Sequence, residues 1–211
     1  MDDEAEWIPK TEVGAKVKSK EIISLREILE QGKPILEYQI VDFLLPELKE
    51  EVLGISSTQR MTANGRKMQY RAIVVIGDTH GYVGFASGKA DEARPAIETA
   101  LRNAKKAIAY IPFGCGSWEC GCGAPHSIPI KLEGKSGSVK VTLKPAPRGV
   151  GIAGNDIVKK VLGLAGVKDV WSQCRGKTAT VYNNTRATFN ALNSLNRMRY
   201  HGEFGAKKES V

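Results

Sequence analysis

Apolar and polar positions change rhythm several times along this chain, and each change marks an element. Ser24-Leu25-Arg26-Glu27 has the spacing of a helix-opening capping box, and Gly32 followed by Pro34 closes the short helix it predicts. Leu36 to Leu45 mixes apolar residues with Asp42 until Pro46 breaks the run, which sets a boundary there. From Val52 the pattern turns to alternation and β-branched richness: Val52–Thr62, Met68–Gly77 and Gly81–Lys89 read as three strands. Their joints, Asn64-Gly65 and Asp78-Thr79-His80-Gly81, carry hairpin chemistry. Asp91 stands where a helix N-cap belongs, ahead of Ala93, Ala96, Ile97, Ala100, Leu101, Ala104 and Ile108 at helical spacing. Three strands and that helix make a compact α+β unit.

After Pro112 the stretch from Gly114 to Pro125 is rich in glycine and cysteine, a loop or a small metal knuckle. Ile128–Leu132 and Ser138–Leu143 read as an antiparallel pair turning through Gly134-Lys135-Ser136-Gly137. Asn155 or Asp156 caps a helix that runs to Ala165 and stops at Gly166. Val167–Trp171 reads as a strand, Asn184–Met198 as a last helix, and Arg199–Val211 as a polar tail. A length of 211 residues suits two small cores better than one. The organisation this predicts is an extension with a short helix over 1–46, a first domain over 47–110, a second over 111–198, and a tail over 199–211.

Charge sharpens the picture. Residues 1–59 hold 7 basic and 13 acidic side chains, residues 60–150 hold 14 and 6, and residues 151–211 hold 10 and 4. A basic body behind an acidic head points to a polyanionic partner, because each neutralised phosphate releases counterions. No apolar run approaches the ~18 residues of a membrane span, and Met1-Asp2-Asp3-Glu4 is acidic where a secretory signal is basic and then apolar. The expectation is a cytoplasmic protein with no membrane contact, whose 4 cysteines stay reduced.

The loop Arg60-Met61-Thr62-Ala63-Asn64-Gly65-Arg66-Lys67 puts three cations on a tight turn, a tip able to enter an RNA groove or simply to stand in solvent. Three thiols and an imidazole, Cys115, Cys120, Cys122 and His126, fall within twelve positions and match the donor set of a Cys₃His zinc site. The single residue between Cys120 and Cys122 is shorter than the usual ligand spacing, so reduced buried thiols stand as the alternative. Cys174, alone on a strand, reads as packing. Gly149-Val150-Gly151-Ile152-Ala153-Gly154 fits a dinucleotide fingerprint with Asp169 twenty residues from its start, but Pro145-Ala146-Pro147-Arg148 separates it from its strand, against that use. Gly176-Lys177-Thr178 lacks the earlier glycine of a phosphate loop, with Trp171 in its place. Lys159 and Lys160 read as a solvated helix face, and His80 has no catalytic partner in sequence. These residues predict no catalytic constellation. A free-standing double-stranded RNA-binding factor, or an enzyme built on the glycine motif or the cysteines, are the competing classes.

The text from Arg66 to Asp78, the run Gly81-Tyr82-Val83-Gly84-Phe85-Ala86-Ser87-Gly88-Lys89-Ala90, the run Pro145-Ala146-Pro147-Arg148-Gly149-Val150-Gly151 and Val161 to Val170 resemble the universal S-five family of small-subunit ribosomal proteins, over about residues 47–198. The opening extension, Pro125-His126-Ser127 and the Pro-Ala-Pro-Arg-Gly run resemble its archaeal branch. The resemblance implies an α+β fold of two domains: a βββα unit of double-stranded-RNA-binding type, and a second domain with a left-handed βαβ crossover, a handedness general topology rules disfavour. It implies a structural, non-catalytic constituent of the small ribosomal subunit. Such a protein binds ribosomal RNA, adjoins the S-four protein near incoming messenger RNA, and contributes to subunit assembly and decoding accuracy. Thr62 to Lys67 match the family's RNA-inserting loop, and Lys135 to Ser138 fall in the region tied to accuracy. The RNA-binding residues expected here are Arg60, Asn64, Arg66, Lys67, Arg71, Lys89, Lys105, Lys106, Lys135 and Arg148, with zinc as the one candidate cofactor.

Overall fold

A computed structural model describes residues 7–197; Met198 and the expected polar tail lie outside the described residues. The extension is more structured than its pattern predicts. It holds α1 (Glu12–Lys18), α2 (Leu25–Glu30) and α3 (Gln39–Leu44). Ser24 caps α2 by accepting from the Arg26 amide at 3.2 Å, as the sequence indicates, and Thr11 caps α1 from the Gly14 amide at 3.1 Å. None of these helices would persist alone at six or seven residues. They hold because Val17, Ile22, Leu25, Ile28, Ile35, Ile40 and Val41 share one core, which Ile108 of the next unit completes.

The first sheet has the order β1-β2-β3-β4, all antiparallel: β1 (Lys49–Thr62), β2 (Gly65–Gly77), β3 (Tyr82–Ala90) and a short β4 (Ile108–Tyr110). Helix α4 (Ala93–Lys106) lies between β3 and β4 in the chain. Two expectations need correction. Ile108 is not the last residue of the helical stripe but the first of β4, since the helix ends at Lys106 and the chain turns back to pair with Gly84. Asp91 is not the cap; Glu92 holds that position without a side-chain bond, while Asp91 accepts from Gln69 Nε2 at 3.4 Å.

The apolar run Ala72-Ile73-Val74-Val75-Ile76 is buried on both faces, which explains its lack of alternation. Ala72, Val74 and Ile76 face Ala96, Ala100 and Ala104 of α4. Ile73 and Val75, with Val83 and Phe85, face the second domain. Helix and strand approach closely because Gly88 carries no side chain: a Cβ there would collide with the Ala96 carbonyl and the Ala100 amide.

The second sheet has the order β5-β6-β8-β7, with β5 (Leu132–Ser136), β6 (Val139–Pro145), β7 (Ile152–Ala153) and β8 (Val170–Arg175). Only β7 and β8 run parallel, joined through α5 (Asp156–Ala165), and α6 (Val181–Asn193) packs on β5 and β6 before a 3-10 turn, Ser194–Arg197. The expected strand at Ile128–Leu132 begins only at Leu132. Pro129 interrupts the preceding residues, and Ser127 makes a lone bridge to Gly114. The turn accordingly moves to Gly137-Ser138, leaving Gly134 and Lys135 within the strand. The expected strand at Val167 begins at Val170, because the Val167 amide is still closing α5 on the Leu162 carbonyl at 3.0 Å. The last helix begins at Val181 rather than Asn184, since Thr180 already serves as its N-cap.

One core joins the two domains, running from Ile73, Val75, Val83 and Phe85 through Leu132, Val141 and Leu143 to Val161, Leu162 and Leu192. Arg71 adds a polar clasp, with its guanidinium 4.1 Å from the Tyr182 ring centroid across the junction. No helix among the described residues is long and apolar enough to cross a membrane.

Candidate nucleic-acid interface and cysteine–histidine cluster

Beyond Tyr70, the last β2 residue paired with β3, the first sheet narrows to two strands. Ile55 to Met68 are exposed throughout, so β1 and β2 run outward as an uncovered arm. Six strand residues rise about 20 Å, enough to carry the tip well clear of the sheet. The turn is Ala63-Asn64 followed by Gly65 at φ 115, with Arg60 paired to Lys67 and Met61 to Arg66. Glycine takes that left-handed backbone without strain. Between Ile55 and Gln69 there are three cations and no carboxylate.

The structure gathers Arg60, Asn64, Arg66 and Lys67 on this arm, all exposed. Lys89 is exposed at its base, opposite Arg71 in the β2–β3 register. Arg71 itself is turned inward: Nη2 donates to Ser87 Oγ at 3.3 Å, and Nε is buried without a partner. Lys105 is also committed internally, its ammonium 2.6 Å from Asp42 and 3.8 Å from Glu50, and only 17% of its side chain is exposed. The acidic extension thereby grips α4. Lys106 is exposed in the last turn of α4, Lys135 on β5 and Arg148 in the turn after β6. Lys160, read as a solvated face, pairs with Glu51 at 2.7 Å and ties α5 to β1. Lys131 and Lys140 flank Glu133 on the second sheet. Hydrogen bonds from Lys140 and then Lys131 hold its carboxyl down at about 2.

The cysteine–histidine segment folds into a knuckle. The ligand atoms of Cys115, Cys120, Cys122 and His126 lie within 4.8 Å of one another. Cys115 and Cys122 Sγ are 3.6 Å apart, as are Cys120 Sγ and His126 Nε2. A tetrahedral zinc centre with bonds of about 2.3 Å to sulfur and about 2.0 Å to nitrogen has edges of about 3.8 and 3.5 Å, so these two pairs stand near that spacing, within a set of four donors gathered inside 4.8 Å. The Cys120 thiol sits low, at about 6, through hydrogen bonds from Cys122, from the Arg148 and Cys122 amides and from His126. Burial, with the hydrogen bonds to Cys122 and Cys120, pushes Cys115 up to about 11. Trp118 stands 92% exposed in the turn from Ser117 to Cys120. Cys174 lies apart, packed against the main core as expected.

Behind His126 stands Asp169, a residue the sequence marks only by its spacing from the glycines. Its Oδ2 accepts from His126 Nδ1 at 2.8 Å, and both side chains are buried. Its Oδ1 accepts the amides of Gly149 at 3.0 Å and Gly151 at 2.8 Å. Burial pushes the Asp169 carboxyl up, but the Gly151 amide, His126 and the Gly149 amide outweigh it and leave it below the ordinary carboxylate value. The amides a dinucleotide pyrophosphate would need are therefore taken by the protein's own carboxylate. No spacing rule could have revealed this, because His126 and Asp169 are 43 positions apart.

A βββα unit with a carboxylate-free cationic arm, joined to a second α+β domain, defines a basic two-domain binding protein. Family models agree: "Ribosomal protein S5, N-terminal domain" matches residues 48–112, and "Ribosomal protein S5, C-terminal domain" matches residues 134–203. Among its relatives is a protein of Methanoregula boonei, 51% identical over 197 residues, which covers 93% of this chain and 96% of the relative. Another, of Methanocaldococcus jannaschii, is 53% identical over 191 residues, covering 90% and 88%. A third, of Picrophilus torridus, is 53% identical over 192 residues, covering 91% and 86%. Each is named small ribosomal subunit protein uS5. The chain belongs to the ribosomal protein S5 family and resembles its archaeal members.

Proposed function

We propose that this chain is a structural, non-catalytic constituent of the small ribosomal subunit in the cytoplasm, and that it holds folded ribosomal RNA with the β1–β2 arm. The observation that carries this reading is the arm itself: fourteen exposed residues, Ile55 to Met68, with three cations and no carboxylate. An isolated two-stranded ribbon is marginal in water, and insertion between RNA phosphates gives it partners. Guanidinium forks at Arg60 and Arg66 suit phosphate oxygens, and Lys67 adds a point charge. Lys89, Lys106, Lys135 and Arg148 widen the basic surface, whereas Arg71 and Lys105 serve the fold. We also assign it a place beside incoming messenger RNA, the S-four protein as neighbour and an influence on decoding accuracy, a reading supported by its family and by the exposed Lys135. Sucrose-gradient fractionation of host extracts tests the reading: the chain should co-sediment with the small subunit. A chain found free of that peak would be a separate RNA-binding factor.

Zinc is the cofactor we assign to Cys115, Cys120, Cys122 and His126. Donor identity and the gathering of all four ligand atoms within 4.8 Å of one another support it. Elemental analysis of the purified chain, with Cys122→Ser as control, should find about one equivalent of zinc in the first and none in the second.

A further inference from the structure

Resting on that zinc reading, we infer that Asp169 is a positioning residue with two duties, joining the metal centre to the turn that displays Arg148, so that metal occupancy sets how firmly that turn is held. One carboxylate oxygen fixes the His126 ring and the other holds the Gly149 and Gly151 amides. A carboxylate accepting at Nδ1 keeps the proton on that nitrogen and leaves the Nε2 lone pair facing the three sulfurs, the tautomer a metal ligand needs. With Asp169 only 4% exposed and bonded on both oxygens, it cannot turn to suit one side without releasing the other. The His126 carbonyl also accepts from the Lys168 and Asp169 amides at 3.0 and 3.3 Å, so ring and carboxylate share one backbone anchor.

The knuckle has few backbone bonds of its own. Among the described residues, one backbone–backbone hydrogen bond lies within Cys115–Pro125, from the Cys120 amide to the Ser117 carbonyl, and one more, from the Gly116 amide to the Ile128 carbonyl at 3.3 Å, ties its start to the segment that follows, while Gly121 and Gly123 face open space. From Ser117 to Pro125 metal bonds would therefore supply most of the order, and His126 would pass it through Asp169 to Gly149 and Gly151. Arg148 directly precedes Gly149, exposed on a turn with φ 95 at Gly149 and φ 72 at Gly151.

The test uses the full chain. In the zinc-loaded protein, amide exchange at Gly149 and Gly151, followed by NMR, should be slow, and trypsin should cut poorly after Arg148. Removing zinc with a chelator should raise both rates about tenfold or more, with exchange in β5, β6 and α5 unchanged. Asp169→Asn keeps the shape and an oxygen for the glycine amides. Its amide nitrogen would donate to Nδ1 and move the ring proton to Nε2, so zinc affinity should fall about 10–100-fold and excess zinc should restore binding. Wild-type zinc affinity in Asp169→Asn, or exchange at the two glycines that ignores chelation, overturns the coupling while the zinc reading stands. A wild-type chain that takes up no zinc on reconstitution overturns the zinc reading itself.

Discussion

Replacing Arg71 with methionine, Tyr182 with leucine, and then both together tests how the two domains are joined. The guanidinium carbon lies 4.1 Å from the ring centroid, inside the ~6 Å range of a cation–π contact. Both side chains are partly buried, so the contact contributes about 1–2 kcal/mol, toward the desolvated end of its range. Against this stands the buried Arg71 Nε, whose missing partner costs on the order of 1–3 kcal/mol. Methionine retains most of the apolar stem and removes that donor, so Arg71→Met alone should change stability by less than about 1 kcal/mol. Tyr182→Leu should cost more, because its ring also packs on Phe85 at 5.5 Å. The informative quantity is the coupling energy, expected near 1–2 kcal/mol from urea unfolding midpoints at constant slope. The same protein should show an unchanged salt dependence of RNA binding in Arg71→Met. A coupling below about 0.3 kcal/mol, combined with a shallower salt dependence, would refute the inward role and return Arg71 to the RNA surface.

Neutralising Arg66 and Lys67 together should leave thermal stability unchanged and lower the slope of log affinity against log salt by about 1.5, read by filter binding to small-subunit RNA at several ionic strengths. Ile28→Ala removes a fully buried side chain from the extension core and should cost that unit about 2–5 kcal/mol. Limited proteolysis should then cut between residues 7 and 48 first, while both sheets persist. Glu37 accepts from Trp7 Nε1 at 2.8 Å and from the Lys10 and Thr11 amides at 2.9 and 2.7 Å. Burial pushes its carboxyl up, but the bonds to Thr11, Lys10 and Trp7 outweigh that and leave it below the ordinary value. Its contribution is therefore complete above the unfolded value of about 4.3 and fades as pH falls through the lower folded value. Trp7 fluorescence, in a chain with Trp118 and Trp171 changed to phenylalanine, should shift toward the exposed signal in that window and lose the acid transition in Glu37→Gln. Gly134→Val should cost about 1–3 kcal/mol by overpacking, since a Cβ at Gly134 meets the Ala187 carbonyl and the Ala191 amide. Circular dichroism melts would register it.

Much of the fold is legible in the sequence. Alternation in β1 and β3, β-branched richness in β2 and turn chemistry placed these strands and the hairpin tip Arg60 to Lys67, and Gly166 marked the end of α5, because these signals are local and act within a few residues. The cysteine–histidine cluster was legible for the same reason: its four donors sit within twelve positions. The short helices α1 and α3 carried weak local signals, since their order comes from a shared core with Ile108 rather than from propensity. Sequence could likewise list cations but not say which were free. Arg71 and Lys105 look like surface charges until β2 meets α6 and α3 meets α4, and only then do Tyr182 and Asp42 claim them. Asp169 makes the same point most fully. Residue types and spacing determined that this chain had a basic arm, a metal-type donor set and a glycine run. Only folding, which places groups tens of positions apart within hydrogen-bond reach, decided that one carboxylate would fill the glycine run and orient the histidine.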